Sequence, residues 1–489
     1  MALLGDRESR LLIDGKLVSG GGGTFPTVNP ATEEVLGVAA DADAADMDGA
    51  IGAARKAFDE TDWSTNVELR VRSIRQLQQA MRDHLEELRE LAIAEVGAPR
   101  MLTSMAQLEG PIEDLSFCAD TAESYQWTTD LGIAAPMGIK THRTIAREAV
   151  GVVGAITPWN FPNQINLAKL GPALAAGNTI VLKPAPDTPW SAAVLGQLIL
   201  DHTDIPAGVV NIVTSSDHAV GALLSKDPRV DMVSFTGSTN TGRAVMADGA
   251  ATLTKVFLEL GGKSAFLVLD DADLAGACSM SAFTASMHAG QGCAITTRLV
   301  VPRARYDEAV EAAAGTMAGL KPGDPNDGGT ICGPVISALQ RDRIQGYLDS
   351  AIAEGGTFAC GGGRPADRDT GFFVEPTVIA GLDNNAKVAR EEIFGPVLTV
   401  IAHDGDDDAV RIANDSPFGL SGTVFSPDEE RAAGVAARLR VGTVNVNGGV
   451  WYSADMPFGG YKQSGIGREM GLAGFEEYLE TKVIATATN

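Results

Sequence analysis

The sequence predicts an α/β protein with a parallel sheet in each of two lobes, and three observations carry that prediction. Short continuous apolar runs recur from about residue 150: AVGVVGAI, NTIVLK, VVNIVT and VDMVSF, then KSAFLVL, RLVVP, VEPTVI, PVLTVIA and GTVNVN. Runs that are apolar at nearly every position describe strands buried on both faces, as in parallel sheets. Between them lie helix-like stretches such as INLAKLGPALAAG and WSAAVLGQLILDHT. Residues with distinctive chemistry then fall at the carboxyl ends of the runs, where such sheets bind ligands: Trp159 and Asn160, Lys183, and Gly237 with Ser238.

The remaining elements follow in chain order. Residues 41–58 read as a helix with an acidic start and Ile51, Ala54 and Phe58 at helical spacing. Residues 66–96 continue as long, charged, amphipathic helical sequence. KTHRTIARE (140–148) and the C-terminal TKVIATA (481–487) are both β-like, and two exposed edges of that kind suit subunit pairing. GGGG (20–23) and GGGR (361–364) are turns too short to link domains, and no repeat of fixed period occurs.

Composition narrows the function. At 489 residues the chain exceeds one simple core, and 45% apolar with 21% charged residues is an ordinary soluble balance. No apolar run reaches the roughly 20 residues that span a bilayer. The start, MALLGDRESRLLIDGK, carries Asp6, Arg7, Glu8 and Arg10 and fits neither a signal nor a transit peptide, so a cytoplasmic protein is expected. A net charge of −25 repels phosphate backbones and anionic membranes, which disfavours nucleic acid and membrane as partners. The five cysteines are odd in number with no C-x-x-C, and the six histidines form no H-x-x-x-H. A disulfide framework and a protein-held metal are both poorly supported, and with them a metal-dependent alcohol dehydrogenase. No G-x-S-x-G supports a serine hydrolase.

Several positions can carry chemistry, each with an ordinary structural reading beside it. HAGQGCAITTR (288–298) sets Cys293 beside Gly292, either as a nucleophile or as small apolar filler. ELGGKS places Glu259 at the end of an apolar stretch, where a carboxylate gains a raised pKa and can act as a base, or simply ends a strand. TPWNF offers Asn160 as a donor to an oxyanion or as a turn residue. GSTNTG keeps only the outer glycines of a dinucleotide fingerprint, yet Gly237 and Ser238 at a helix start can receive a phosphate. Lys183 closes the strand TIVLK and can donate to ribose hydroxyls or a phosphate, or be a solvated strand end. In EEIFGPV, Glu392 or Glu391 can hold a sugar hydroxyl and Phe394 can pack on a flat ring. LGGKS is no P-loop, because Phe257 stands where that motif requires glycine.

The ordered set TPWNFP, VLKPAP, FTGST, ELGGKS, GQGC, EEIFGPV and PFGGYKQSGIGRE resembles the NAD(P)-dependent aldehyde dehydrogenase superfamily, from about residue 11 to the C-terminus. That resemblance implies a Rossmann-like cofactor domain (1–130 and 149–258), an α/β catalytic domain (259–465) and a small β oligomerisation element (131–148 and 466–489), in a homodimer or homotetramer. It implies Cys293 as nucleophile, Glu259 as general base and Asn160 as oxyanion donor, helped by the Cys293 backbone N–H. It implies Ile156, Trp159, Lys183, Gly237, Ser238, Glu392 and Phe394 around the cofactor. A substrate tunnel would include Phe161, Gln164, Ile165, Ala168, Trp451, Tyr452 and Phe458, suited to an uncharged aldehyde of moderate size. Many NAD-preferring members carry an acid three positions after the ribose lysine; here that position is Pro186, so NAD is expected with NADP possible. Two other readings keep the fold but change the outcome: CoA-dependent acylation, and a non-catalytic structural or binding protein.

Overall fold

The computed structural model describes residues 8–488, so Asp6 and Arg7 lie outside the described residues. Its first lobe is built on an eight-stranded sheet. Five strands run parallel, in the spatial order Lys255–Leu260, Met232–Gly237, Val152–Ile156, Thr179–Lys183 and Val210–Ile212. The chain enters at Val152–Ile156, winds outward through the next two strands, then returns to the other side of its starting strand. The carboxyl ends of Val152–Ile156 and Met232–Gly237 therefore flank the crevice where the winding direction reverses. The apolar runs became these strands because both faces are covered. Helices Val67–Asp83, Glu109–Ser124, Pro162–Ala176 and Trp190–His202 pack on one face around Leu77, Leu115, Leu170 and Leu195. Helix Ala44–Glu60 covers the other through Met47, Ile51 and Ala54. It starts where the acidic run predicts: Asp43 and Asp46 form a reciprocal capping box, an arrangement that stabilises a helix end by about 1 kcal/mol.

The second lobe is a seven-stranded sheet, parallel except for its edge strand Thr357–Cys360. Ser264–Val268 sits between Thr296–Pro302 and Ser421–Phe425, so the ELGGKS turn passes directly from one sheet to the other. A third sheet joins Thr128–Ala134, Thr141–Ala149 and Leu479–Ala487, all antiparallel, with the last two paired from Leu479 and Ala149 to Ala487 and Thr141. The two β-like segments therefore pair with each other, leaving Thr128–Ala134 and Leu479–Ala487 as free edges.

Three of the expected boundaries move. The division at 258/259 falls inside the strand Lys255–Leu260, which pairs with the first sheet along its full length. The hairpin begins at Thr128 and ends at Ala149, beyond the expected 131–148. Among the described residues from 466 onward, only Leu479–Ala487 joins the small sheet. Gly465–Ile466 adds an antiparallel strand beside Glu259, and Phe475 and Tyr478 are buried in the first lobe's core. Those aromatic side chains need an apolar partner, and the helices of the first lobe supply it.

Candidate active site

Asn160 follows the strand Val152–Ile156 and precedes a helix that Pro162 opens. It is buried, and its Nδ2 donates to the carbonyl of Gln291 at 2.9 Å. Its own carbonyl accepts from Gln107 Nε2 at 2.8 Å and lies 2.8 Å from His288 Nε2. Burial pushes the His288 imidazole down to about 4, so the ring is neutral and carries its proton on the nitrogen facing that carbonyl. His288 and Ala289 both adopt left-handed backbone (φ 49° and 52°), a strained turn directly after the helix Leu274–Ser286. Gln291 locks the turn by donating to His288 O and Pro334 O and accepting from Ile336 N. The rigid turn delivers Cys293 beside Asn160.

Glu259 lies near the end of its strand, 1% exposed, with neither carboxylate oxygen hydrogen-bonded. Burial raises its pKa well above the usual carboxylate range; nearby Glu469 adds to the shift, while Lys169 and the Cys293 thiol oppose it. The Cys293 thiol is pushed well above its ordinary value by burial and by Glu259, Glu392 and Glu469. Behind Glu259, Lys169 Nζ sits 3.1 Å from Glu469 Oε1 and 3.1 Å from Ser234 Oγ.

Cys293, Glu259 and Asn160 line one cavity of about 390 Å³, together with Phe161, Gln164, Ile165, Trp451, Tyr452 and Phe458. Trp451 and Phe458 stack with ring centroids 4.6 Å apart. Ala168 lines an adjoining cavity instead, beside Gln164 and Tyr452. The sequence reading missed Phe266, Met280, Met287 and Glu469 in the lining, and Gln107, His288 and Lys169 behind it. His288 stands inside the motif that singled out Cys293; the others carry no local pattern.

The carboxyl ends of the first sheet bring Ile156, Trp159, Lys183, Gly237 and Ser238 to the crevice. Gly237 admits a close backbone approach: a Cβ there would meet the Phe235 ring at 2.6 Å. Ser238 caps the helix Thr239–Gly249 by accepting from Thr241 N. Lys183, 3% exposed, donates to Ser215 O at 3.2 Å, which leaves ammonium protons for another acceptor. From the second lobe, Glu392 Oε1 accepts from Gly262 N at 2.9 Å, and Phe394 meets Trp159 edge-on at 5.4 Å. A side chain at Gly261 would occupy the Glu392 carboxylate's place, at 2.2 Å, which explains the paired glycines. Open backbone at a helix start, a lysine and a carboxylate for sugar hydroxyls, and aromatic rings fit a dinucleotide. Among the described residues no cluster of His, Cys, Asp or Glu could hold a metal ion.

Comparison with known proteins agrees with this geometry. The model of the Aldehyde dehydrogenase family matches residues 17–484. A 3-succinoylsemialdehyde-pyridine dehydrogenase from Pseudomonas sp is 41% identical over 461 residues, 94% of each chain. Betaine aldehyde dehydrogenase from Staphylococcus aureus, solved with NAD+, is 37% identical at a TM-score of 0.96, covering 100% of this chain and 96% of its own. A mutant of aldehyde dehydrogenase C from Pseudomonas syringae, solved with NAD+ and octanal, is 40% identical at a TM-score of 0.92, covering 97% and 96%. Matched by the family model over residues 17–484 and in fold over its full length, the chain belongs to the aldehyde dehydrogenase family.

Proposed function

We propose that the protein oxidises aldehydes to carboxylic acids with NAD, using Cys293 as nucleophile, Asn160 as oxyanion donor and Glu259 as the base that activates water. The observation that carries this reading is the meeting of all three side chains in one cavity, at the mouth of a crevice fitted for a dinucleotide. The Cys293 thiolate attacks the aldehyde carbon. Asn160 Nδ2 and the Cys293 backbone N–H stabilise the alkoxide of the thiohemiacetal on sulfur. Bound NAD supplies the two-electron acceptor that allows this adduct to become a thioester. Glu259 then takes a proton from water as it attacks the thioester, and the acid leaves. Lys169 and Glu469 form a buried ion pair behind Glu259.

Lys183 would hold NAD at the adenosine ribose, Gly237 and Ser238 at the pyrophosphate, and Glu392 at the nicotinamide ribose, with Ile156, Trp159 and Phe394 lining the crevice. The substrate is an uncharged aldehyde of moderate size, held by Phe161, Gln164, Ile165, Trp451 and Phe458. Among the described residues, the lining contains no Lys, Arg or His to hold a carboxylate. The octanal in the Pseudomonas syringae structure belongs to the same chemical class. The decisive experiment is product analysis with and without CoA. Free carboxylic acid forms at the same rate in both; acyl-CoA formed only when CoA is present would replace hydrolysis with acylation of CoA.

The pH dependence has a definite sign. Cys293 and Glu259 both work deprotonated, and both are shifted upward. Each gains its active form only as pH rises through its raised pKa, so turnover climbs on the alkaline side with no acidic optimum. A rate profile that fell from neutral to alkaline pH, in enzyme that stayed folded, would contradict these roles.

We place the protein in the cytoplasm as a homodimer or homotetramer. The five cysteines are free, as in a reducing compartment, and no helix among the described residues is long and apolar enough to cross a membrane. The small sheet leaves Leu131, Ile133, Val483 and Ile484 exposed beside free edges, which a second copy would cover. Ile133→Lys combined with Val483→Lys shifts sedimentation to that of a monomer; an unchanged coefficient would move the interface elsewhere.

A further inference from the structure

Pro186 removes the acid that would reject a 2′-phosphate, but other acids surround the same lysine. The Lys183 ammonium donates to Ser215 O at 3.2 Å. Ser215 Oγ donates to Asp41 Oδ1 at 3.1 Å, and Ser216 donates to Asp41 through its N–H at 2.8 Å and through its hydroxyl at 2.6 Å. Asp217 caps the next helix, His218–Ala222, by accepting from Ala219 N. That short helix rests on Lys183, since a Cβ on Gly221 would lie 3.3 Å from Lys183 Cδ. Asp187, four residues after the lysine, completes the surround, with His218 beside it. All three carboxylates act electrostatically on Lys183.

We propose that Asp41, Asp187 and Asp217 together make this pocket reject a 2′-phosphorylated cofactor, replacing the single acid absent at Pro186. The proposal rests on the reading of Lys183 as the adenosine-ribose contact. A 2′-phosphate brings nearly two negative charges into a pocket that holds one ammonium against three carboxylates. Burial also weakens the ammonium, which is pushed down to about 8. A ribose with free hydroxyls brings no charge and gains hydrogen bonds from the same groups. Charge, not bulk, therefore does the rejecting, and the selectivity depends on salt.

Calorimetric binding of NAD and of NADP, without aldehyde, tests this in wild type, Asp187→Asn, Asp217→Asn, the double variant and Lys183→Ala. Asp41 stays in place because it anchors Ser215 and Ser216. Wild type favours NAD, and each single variant narrows the Kd ratio about three- to tenfold, the double variant more. Added salt narrows the wild-type ratio in the same direction. A double variant whose ratio stays within about twofold of wild type at low and high salt would overturn the proposal, as would a wild type that binds both cofactors equally. Lys183→Ala separates the two levels. A loss of NAD affinity upholds the pocket, so an unmoved ratio then defeats only the carboxylates. An unchanged NAD affinity would remove the ribose from Lys183 and the proposal with it.

Discussion

Cys293→Ala lowers aldehyde-dependent NADH formation by about 10⁴-fold or more while leaving NAD binding intact. The size of the effect follows from what the sulfur does. Every later step takes place on an adduct bonded to it, and Gly292 and Ala294 on either side offer no nucleophile. Alanine is smaller and apolar at a position that lines the cavity, so the fold is not expected to lose stability. Stopped-flow absorbance of the reduced cofactor checks the rate, and intact-protein mass spectrometry after acid quench checks the bond. Wild type carries an acyl increment that maps to Cys293, and the variant carries none. Turnover persisting in the variant would assign the nucleophile elsewhere.

Glu259→Gln separates the two halves of the reaction. Glutamine fills the same space, so the first turnover still produces a burst of reduced cofactor close to one per active site. Steady-state turnover falls by about 10²- to 10⁴-fold, because the thioester waits for unassisted water. The acyl-enzyme then accumulates to a level that mass spectrometry detects without trapping. If turnover were unchanged, Glu259 would not be the deacylating base. If the burst vanished too, its main task would be taking the proton from Cys293.

How much of this could be read from residues alone depends on whether the determining contacts were local. Val152–Ile156 and Thr179–Lys183 were legible because burial on both faces makes every position apolar. Ser421–Phe425 was not, because SGTVF carries Ser, Gly and Thr, yet in the second lobe's sheet it is the neighbour of Ser264–Val268. Within the site, Cys293, Glu259 and Asn160 stand in short motifs, and the family resemblance gave them roles that spacing alone left open. Lys169 and Glu469 meet across 300 residues of sequence, and Gln107 reaches His288 across 181, so no window could pair them. Of the carboxylates around Lys183, Asp187 stands four residues away in sequence, but Asp41 escaped for the same reason. Asp41 belongs to the entry of the first helix, and only the folded sheet brings it to Ser215 and Ser216.

The strand Gly465–Ile466 pairs with Leu258 and Glu259, and Ser464 Oγ donates to Gly261 O across 203 residues of sequence. A ribosome therefore extends nearly the entire polypeptide before this acid acquires its permanent surroundings. The same late segment brings Phe475 and Tyr478 into the core of the first lobe, so packing of that core and enclosure of the acid are completed together, by the last residues to be made.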